Sequence, residues 1–331
     1  MNGVLADVLN GKVHSGIPVW YMRQAGRHMP GFAKYLSEDS FSNIIRNPVK
    51  SSEIAVEAVE RLGVDAAIMF SDIVTPLEAA GLEYGYEQGP ILKTSMQLDK
   101  FESMAGNVDS EKLWFIGDQI AEIKRRAGVP VIGFAGAPFT LASYAIEGKY
   151  AREFPKTKSF MMTPEWSRLL GALVKLIITD INVQVNAGVS AVQLFDTWVG
   201  VLSEEQFAKY YITALSGLVS YIKGLVPVIY FCTDCSHLVA KIANDVKPTF
   251  MSVDWKVSMK SLHEAGKTGM QGNLDPVYPL VGGETMLGEA GRVLEDARGI
   301  DRYIFNLGHG VIPGTDWKEL KKLAEYVHGW H

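Results

Sequence analysis

The stretch 164–197, PEWSRLLGALVKLIITDINVQVNAGVSAVQLFDT, decides the fold. Trp166, Leu169, Leu170, Leu173, Ile177 and Ile181 recur at the spacing of one helix face. Residues 191–195 then form a short apolar run, too brief for a helix and suited to a buried strand, closed by the polar pair Asp196 and Thr197. The pattern repeats at once. Over 204–223, Phe207, Tyr210, Tyr211, Ala214, Leu215, Leu218, Val219 and Ile222 share a broad face, and 228–231 again reads as a strand. Helix and strand in alternation imply parallel strands joined by crossovers.

Working outward, strand-like segments recur at 19–22, 66–70, 131–134, 191–195, 228–231, 250–253, 268–271 and 303–306, enriched in branched and aromatic residues. Eight such segments over 331 residues, without a break in composition, favour one closed (β/α)8 barrel, a TIM barrel, as a single α/β domain over 1–331. The stretch 81–98, with Gly85, Gly89 and Pro90, is too irregular for a barrel helix and reads as a hairpin excursion after the second strand.

Composition narrows the function. With 47% hydrophobic and 21% charged residues the chain can bury a large core and is neither disordered nor fibrous. A formal charge of -5 argues against a general nucleic-acid binder, so an anionic small molecule must meet a local cluster of arginines. No apolar run is expected to reach the roughly 20 residues of a membrane span, and residues 1–11 lack signal-peptide order, so a cytoplasmic protein is expected. Two cysteines predict no disulfide framework.

A barrel gathers its chemistry at the carboxyl ends of the strands. Arg23 and Arg27 stand four positions apart after the first strand, with Gln24, Ala25 and Gly26 between them. Their rigid donor forks suit a polycarboxylate, although surface salt bridges would use the same residues. Asp72 ends the second strand and serves either as a helix cap or as a group for substrate N–H, metal or proton. The run 133–140 is a close-approach loop without the spacing of a phosphate loop, and Tyr144 follows one turn later, either packed or facing the mouth. Cys232, Cys235 and His237 have zinc-like spacing but too few partners for a closed site. His309 lies between Gly308 and Gly310, a setting that exposes a side chain.

Taken together, these residues resemble the uroporphyrinogen decarboxylase family. The match runs over 18–27, 70–76, 136–141, 271–276 and 306–310, and so spans most of the chain. The resemblance implies that Arg23 and Arg27, with the intervening Gln24, Ala25 and Gly26, bind substrate carboxylates. It assigns the central pyrrole N–H groups to Asp72 and lets Tyr144, Thr197 and His309 complete the pocket. It makes Asp72, Arg23 and Tyr144 the catalytic candidates. The implied reaction converts the acetate arms of uroporphyrinogen to methyls with no metal or other cofactor, in a homodimer. Thr197 stands where serine is common, and 147–152 and 232–235 also depart from the family pattern. The alternative within the superfamily is a zinc-dependent methyltransferase acting between a corrinoid and a thiol. Its ligand places carry Tyr230 and the 308–310 loop here.

Overall fold

Apolar runs buried on both faces become the strands of a parallel sheet, because helices must cover each side. The computed structural model describes residues 3–26, 28–86, 89–266 and 268–330. Its strands are β1 (Ala67–Ile68), β2 (Tyr84–Tyr86), β3 (Pro90–Leu92), β4 (Val131–Gly136), β5 (Ala191–Phe195), β6 (Val228–Phe231), β7 (Phe250–Ser252), β8 (Gly269–Leu274) and β9 (Tyr303–Leu307). Seven of them form one sheet in the order β1-β4-β5-β6-β7-β8-β9, parallel throughout. The excursion after β1 is the expected hairpin, β2 paired antiparallel with β3.

The expected first strand, 19–22, does not form. Val19 makes one parallel bridge to Phe305 of β9, and its carbonyl accepts the Asp65 N–H at 2.8 Å, just ahead of β1. The segment therefore fills the eighth place between β9 and β1. Side chains take the donors a ladder needs: Val19 N–H goes to Asp65 Oδ2 (2.7 Å), Tyr21 N–H to Gln24 Oε1 (3.0 Å) and Met22 N–H to Asn306 Oδ1 (3.0 Å). The fold is a (β/α)8 barrel whose ring of regular pairing stops short of closure at this place. A polar layer ties the irregular segment inward. Trp20 Nε1 donates to Gln271 Oε1 (3.0 Å), and Gln271 Nε2 donates to Gln193 Oε1 and Ser252 Oγ, both at 2.9 Å.

Two helical expectations change. The 204–223 pattern divides into Glu204–Tyr210 and Ile212–Lys223, because Tyr211 leaves helical geometry and sends its hydroxyl to buried Asp196. The helix Glu165–Ala187 is, by length and composition, apolar enough to cross a membrane, which corrects the expectation that no run reaches that size. Its apolar side chains cover the barrel: Trp166, Leu169, Leu173, Ile177 and Ile181 are all buried, along with Asp180.

Candidate active site

A turn after the irregular first segment sets the site. Gln24 N–H bonds to the Tyr21 carbonyl (3.0 Å), and the buried Gln24 side chain spends its amide on the Ala66 carbonyl (2.8 Å). Gln24 and the buried Ala25 therefore offer the cleft no free side-chain group. Between these anchors Arg23 is held at φ 62, a left-handed conformation that non-glycine residues avoid unless the surroundings impose it. Its side chain is exposed, and none of its hydrogen bonds or ion pairs falls among the described residues. Gly26 is hemmed in, since a β-carbon there would lie 2.9 Å from the Arg23 carbonyl oxygen. Arg27 lies outside the described residues.

Gln119 stops β1 from continuing. It accepts the Phe70 N–H (2.5 Å) and donates to the Phe70 carbonyl (2.9 Å), and the chain turns out through Ser71 to Asp72. Asp72 Oδ1 accepts the Val74 N–H (3.0 Å) just before the short helix Thr75–Ala79. The capping role and a functional role thus coexist, because Oδ2 has no protein partner among the described residues. Asp72 keeps some accessible surface on the cleft, yet protein packed around the carboxylate raises its pKa, opposed by the Val74 N–H and by Arg23.

The helix Pro138–Glu147 carries Tyr144, half-buried, within electrostatic reach of this carboxylate. Its close seating needs Gly136, where a β-carbon would fall 2.5 Å from Leu141 Cδ2. The Tyr144 ring lies 4.4 Å from Trp198 and 6.5 Å, edge-on, from Tyr84. Burial and then Asp72 push the Tyr144 phenol up, so it stays protonated, while Arg23 pulls the other way. His309 is placed after β9 with its Nδ1 accepting the Gly310 N–H (2.8 Å), which leaves the proton of the neutral ring on Nε2. Burial, followed by Arg23, lowers its pKa to about 4. Arg23 therefore acts electrostatically on Asp72, Tyr144 and His309 at once, which draws these four residues into one neighbourhood.

Thr197 follows β5, half-buried, with its carbonyl held by Thr233 Oγ1 (2.7 Å). Beside it lies a network that sequence reasoning misses. Asp196, wholly buried, accepts Tyr211 OH (2.7 Å), Tyr230 OH (2.6 Å) and Thr140 Oγ1 (3.0 Å). This knits β5 and β6 to the helix that carries Tyr144. The hairpin adds Tyr84 and Tyr86 near Asp72, which the sequence signals only by two tyrosines at period two on one strand face.

The cysteine expectation is corrected. Cys232 and Cys235 form a disulfide, because the loop after β6 brings their Cα atoms to 6.0 Å, and both are buried. His237 Nε2 lies 2.7 Å from the Leu202 carbonyl oxygen. Among the described residues, no group of three or more His, Cys, Asp or Glu side chains is placed to hold a metal ion.

Comparison with known proteins places these features in a lineage. The sequence profile of the family described as uroporphyrinogen decarboxylase (URO-D) matches residues 2–330. A uroporphyrinogen decarboxylase from Thermodesulfovibrio yellowstonii is 39% identical over 316 residues, covering 94% of this chain and 93% of that protein. One from Thermoplasma acidophilum is 36% identical and covers 97% of each chain. Among solved structures, a methyltransferase from Methanosarcina mazei is 19% identical with a TM-score of 0.78, covering 98% of this chain and 96% of that chain. At that identity the likeness speaks to the fold alone.

Proposed function

The chain belongs to the uroporphyrinogen decarboxylase family, and on that premise we propose how its cleft converts the four acetate arms of uroporphyrinogen III to methyls, giving coproporphyrinogen III and CO2. Its enzyme class is that of a carboxy-lyase acting in tetrapyrrole biosynthesis. The carrying observation is Asp72: one carboxylate oxygen is fixed by Val74 and the other has no protein partner among the described residues, in the cleft that Arg23 shares.

Breaking the bond between an acetate methylene and its carboxylate leaves an electron pair beside an electron-rich pyrrole, which is prohibitive without a sink. Protonation of the pyrrole carbon next to the arm supplies one. The bond then breaks, its electron pair enters the cationic ring, and CO2 leaves. A proton adds to the exposed methylene carbon to give the methyl, and the ring loses the proton it first accepted. Asp72 accepts the pyrrole N–H groups and stabilises the ring cation through a charge already in place. This chemistry draws on no metal or organic cofactor.

Arg23 and Arg27 hold side-chain carboxylates of the macrocycle. A guanidinium holds its proton too tightly to be a ready donor, so Arg23 acts here through charge and hydrogen bonds. Tyr144, kept as a phenol, and His309, kept neutral with its proton on Nε2, are donors to substrate oxygens. Thr197 contributes a hydroxyl, and Gln24, Ala25 and Gly26 contribute only backbone. The methyltransferase alternative needs free thiolates, whereas Cys232 and Cys235 spend their sulfurs on each other.

A homodimer with clefts facing each other is part of this proposal. Supporting it, Trp255, Val277, Leu280 and Val281 expose apolar surface on segments that follow the strand ends. Val281→Glu should then shift the sedimentation coefficient to that of a monomer. The catalytic proposal is tested by incubating purified, metal-free protein with anaerobically reduced uroporphyrin and separating the oxidised products. Stepwise loss of four carboxyls is expected, and an unaltered octacarboxylate would refute it.

A further inference from the structure

At the seam where regular pairing stops short of closure, β9 and the segment 19–22 begin as an ordinary parallel pair. Phe305 N–H bonds to the Pro18 carbonyl (2.9 Å), and the Phe305 carbonyl accepts the Trp20 N–H (3.3 Å). In a parallel ladder every second residue turns both backbone groups to the same neighbour, so the next rung falls to Leu307. Its N–H would go to the Trp20 carbonyl, and its carbonyl would take the Met22 N–H. Both donors go instead to one side-chain oxygen of Asn306, the Met22 N–H at 3.0 Å and the Leu307 N–H at 2.8 Å. Since both partners are donors, the amide atom between them is the oxygen.

One side chain thus ends the pairing immediately ahead of Arg23. Beyond it the register slips. An unbroken ladder would meet the Met22 carbonyl with the His309 N–H, but the Val311 N–H takes it at 2.9 Å, and the loop that carries His309 is left between the two anchors. Met22 is therefore held at both backbone groups, Gln24 is tied to the Ala66 carbonyl by its side chain (2.8 Å), and Arg23 between them adopts φ 62. A continued strand would give residue 23 an extended backbone and a different side-chain direction. Asn306 is wholly buried, so it acts through these neighbours. Its Nδ2 is buried without a partner among the described residues, a cost that a side chain kept for stability alone would not carry.

We propose that Asn306 is a positioning residue for the decarboxylation: its oxygen ends the pairing at the barrel seam and so sets the backbone of Arg23 and of the loop that carries His309. The inference rests on the decarboxylase reading. The competing account is that Asn306 only stabilises the seam.

Asn306→Val separates the two. Valine suits a strand, is close to asparagine in size and removes both the oxygen and the unmet amide. The freed Met22 N–H then has the Leu307 carbonyl to go to, and the freed Leu307 N–H has the Trp20 carbonyl. The melting temperature should therefore hold, while kcat/KM on uroporphyrinogen falls roughly tenfold to a hundredfold, the effect of moving a binding group by about 1 Å. Asn306→Asp keeps the accepting oxygen and should recover most of kcat/KM. In an Arg23→Ala background Asn306→Val should cost several-fold less than in the wild type, because the main residue it positions is gone. A crystal structure of Asn306→Val should show the Met22 N–H on the Leu307 carbonyl and residue 23 out of the left-handed region. Normal kcat/KM in a folded Asn306→Val would overturn the inference. So would a loss that comes with a lowered melting temperature and adds in full to that of Arg23→Ala. A wild-type enzyme inactive on uroporphyrinogen would instead bring down the underlying reading, whereas an unmoved residue 23 in the Asn306→Val structure would refute the inference alone.

Discussion

Arg23 lies across Gly310: a β-carbon on that glycine would fall 2.4 Å from Arg23 Cδ and 2.9 Å from Nε. Glycine is needed there for the space it leaves to the arginine, and Gly310 is not among the glycines with positive φ. Gly310→Ala should therefore fold normally and displace the guanidinium. Misplacing a binding group by about 1 Å can cost about a hundredfold in rate, so kcat/KM should fall by tens to a hundredfold at an unchanged melting temperature. Steady-state kinetics beside a thermal melt checks this, and a variant with normal kinetics would remove Arg23 from the site.

How much of this the sequence discloses follows from what each residue depends on. β5 and β6 are legible because both faces are buried and the side chains say so without reference to distant partners. The segment 19–22 looks equally strand-like, but Asp65, Gln24 and Asn306 capture its donors, and only the fold brings Asp65 and Asn306 there. The break at Tyr211 has the same origin in Asp196. Arg23, Asp72, Tyr144 and His309 stand out because a barrel puts strand ends and their next turn at the mouth. Gln24 sits among them in sequence, yet its side chain turns inward to Ala66. Tyr84 and Tyr86 escape notice because the approach of the hairpin to Asp72 is a tertiary fact.

Asp180 gives the stability of the protein a pH dependence remote from the cleft. It is buried, bonded by Gln184 Nε2 at 2.9 Å, and its pKa is raised to about 7. Unfolded, the same carboxyl ionises near about 3.9. Between those values the folded chain holds a proton that the unfolded chain releases, so this contribution to stability falls as pH rises and levels off above about 7. Asp180→Asn keeps an acceptor for Gln184 and should raise the melting temperature little near about pH 4 and most near about pH 8. Melts across that range test it, and a pH-independent difference would mean that Asp180 does not titrate there.

The pair Cys232 and Cys235 separates the two chemistries available to this fold. If the decarboxylase account holds, replacing both by serine leaves most turnover intact, because the loop lends Thr197 only a main-chain bond through Thr233. Activity and metal content of the double variant should be measured together. Stoichiometric zinc in the wild-type protein, with activity lost on chelation and in the double variant, would favour methyl transfer.

Everything proposed for the cleft turns on Asp72, whose Oδ1 is fixed by Val74 and whose Oδ2 awaits the pyrrole N–H groups. Asparagine there preserves size and one acceptor but removes the charge that meets the ring cation. Loss of one preorganised electrostatic partner costs about 3 to 4 kcal/mol in the transition state, so single-turnover decarboxylation by Asp72→Asn should slow by roughly two to three orders of magnitude. Binding of the reduced macrocycle should weaken far less. Near-normal rates for a correctly folded Asp72→Asn would reduce this residue to a cap for Val74 and contradict the account.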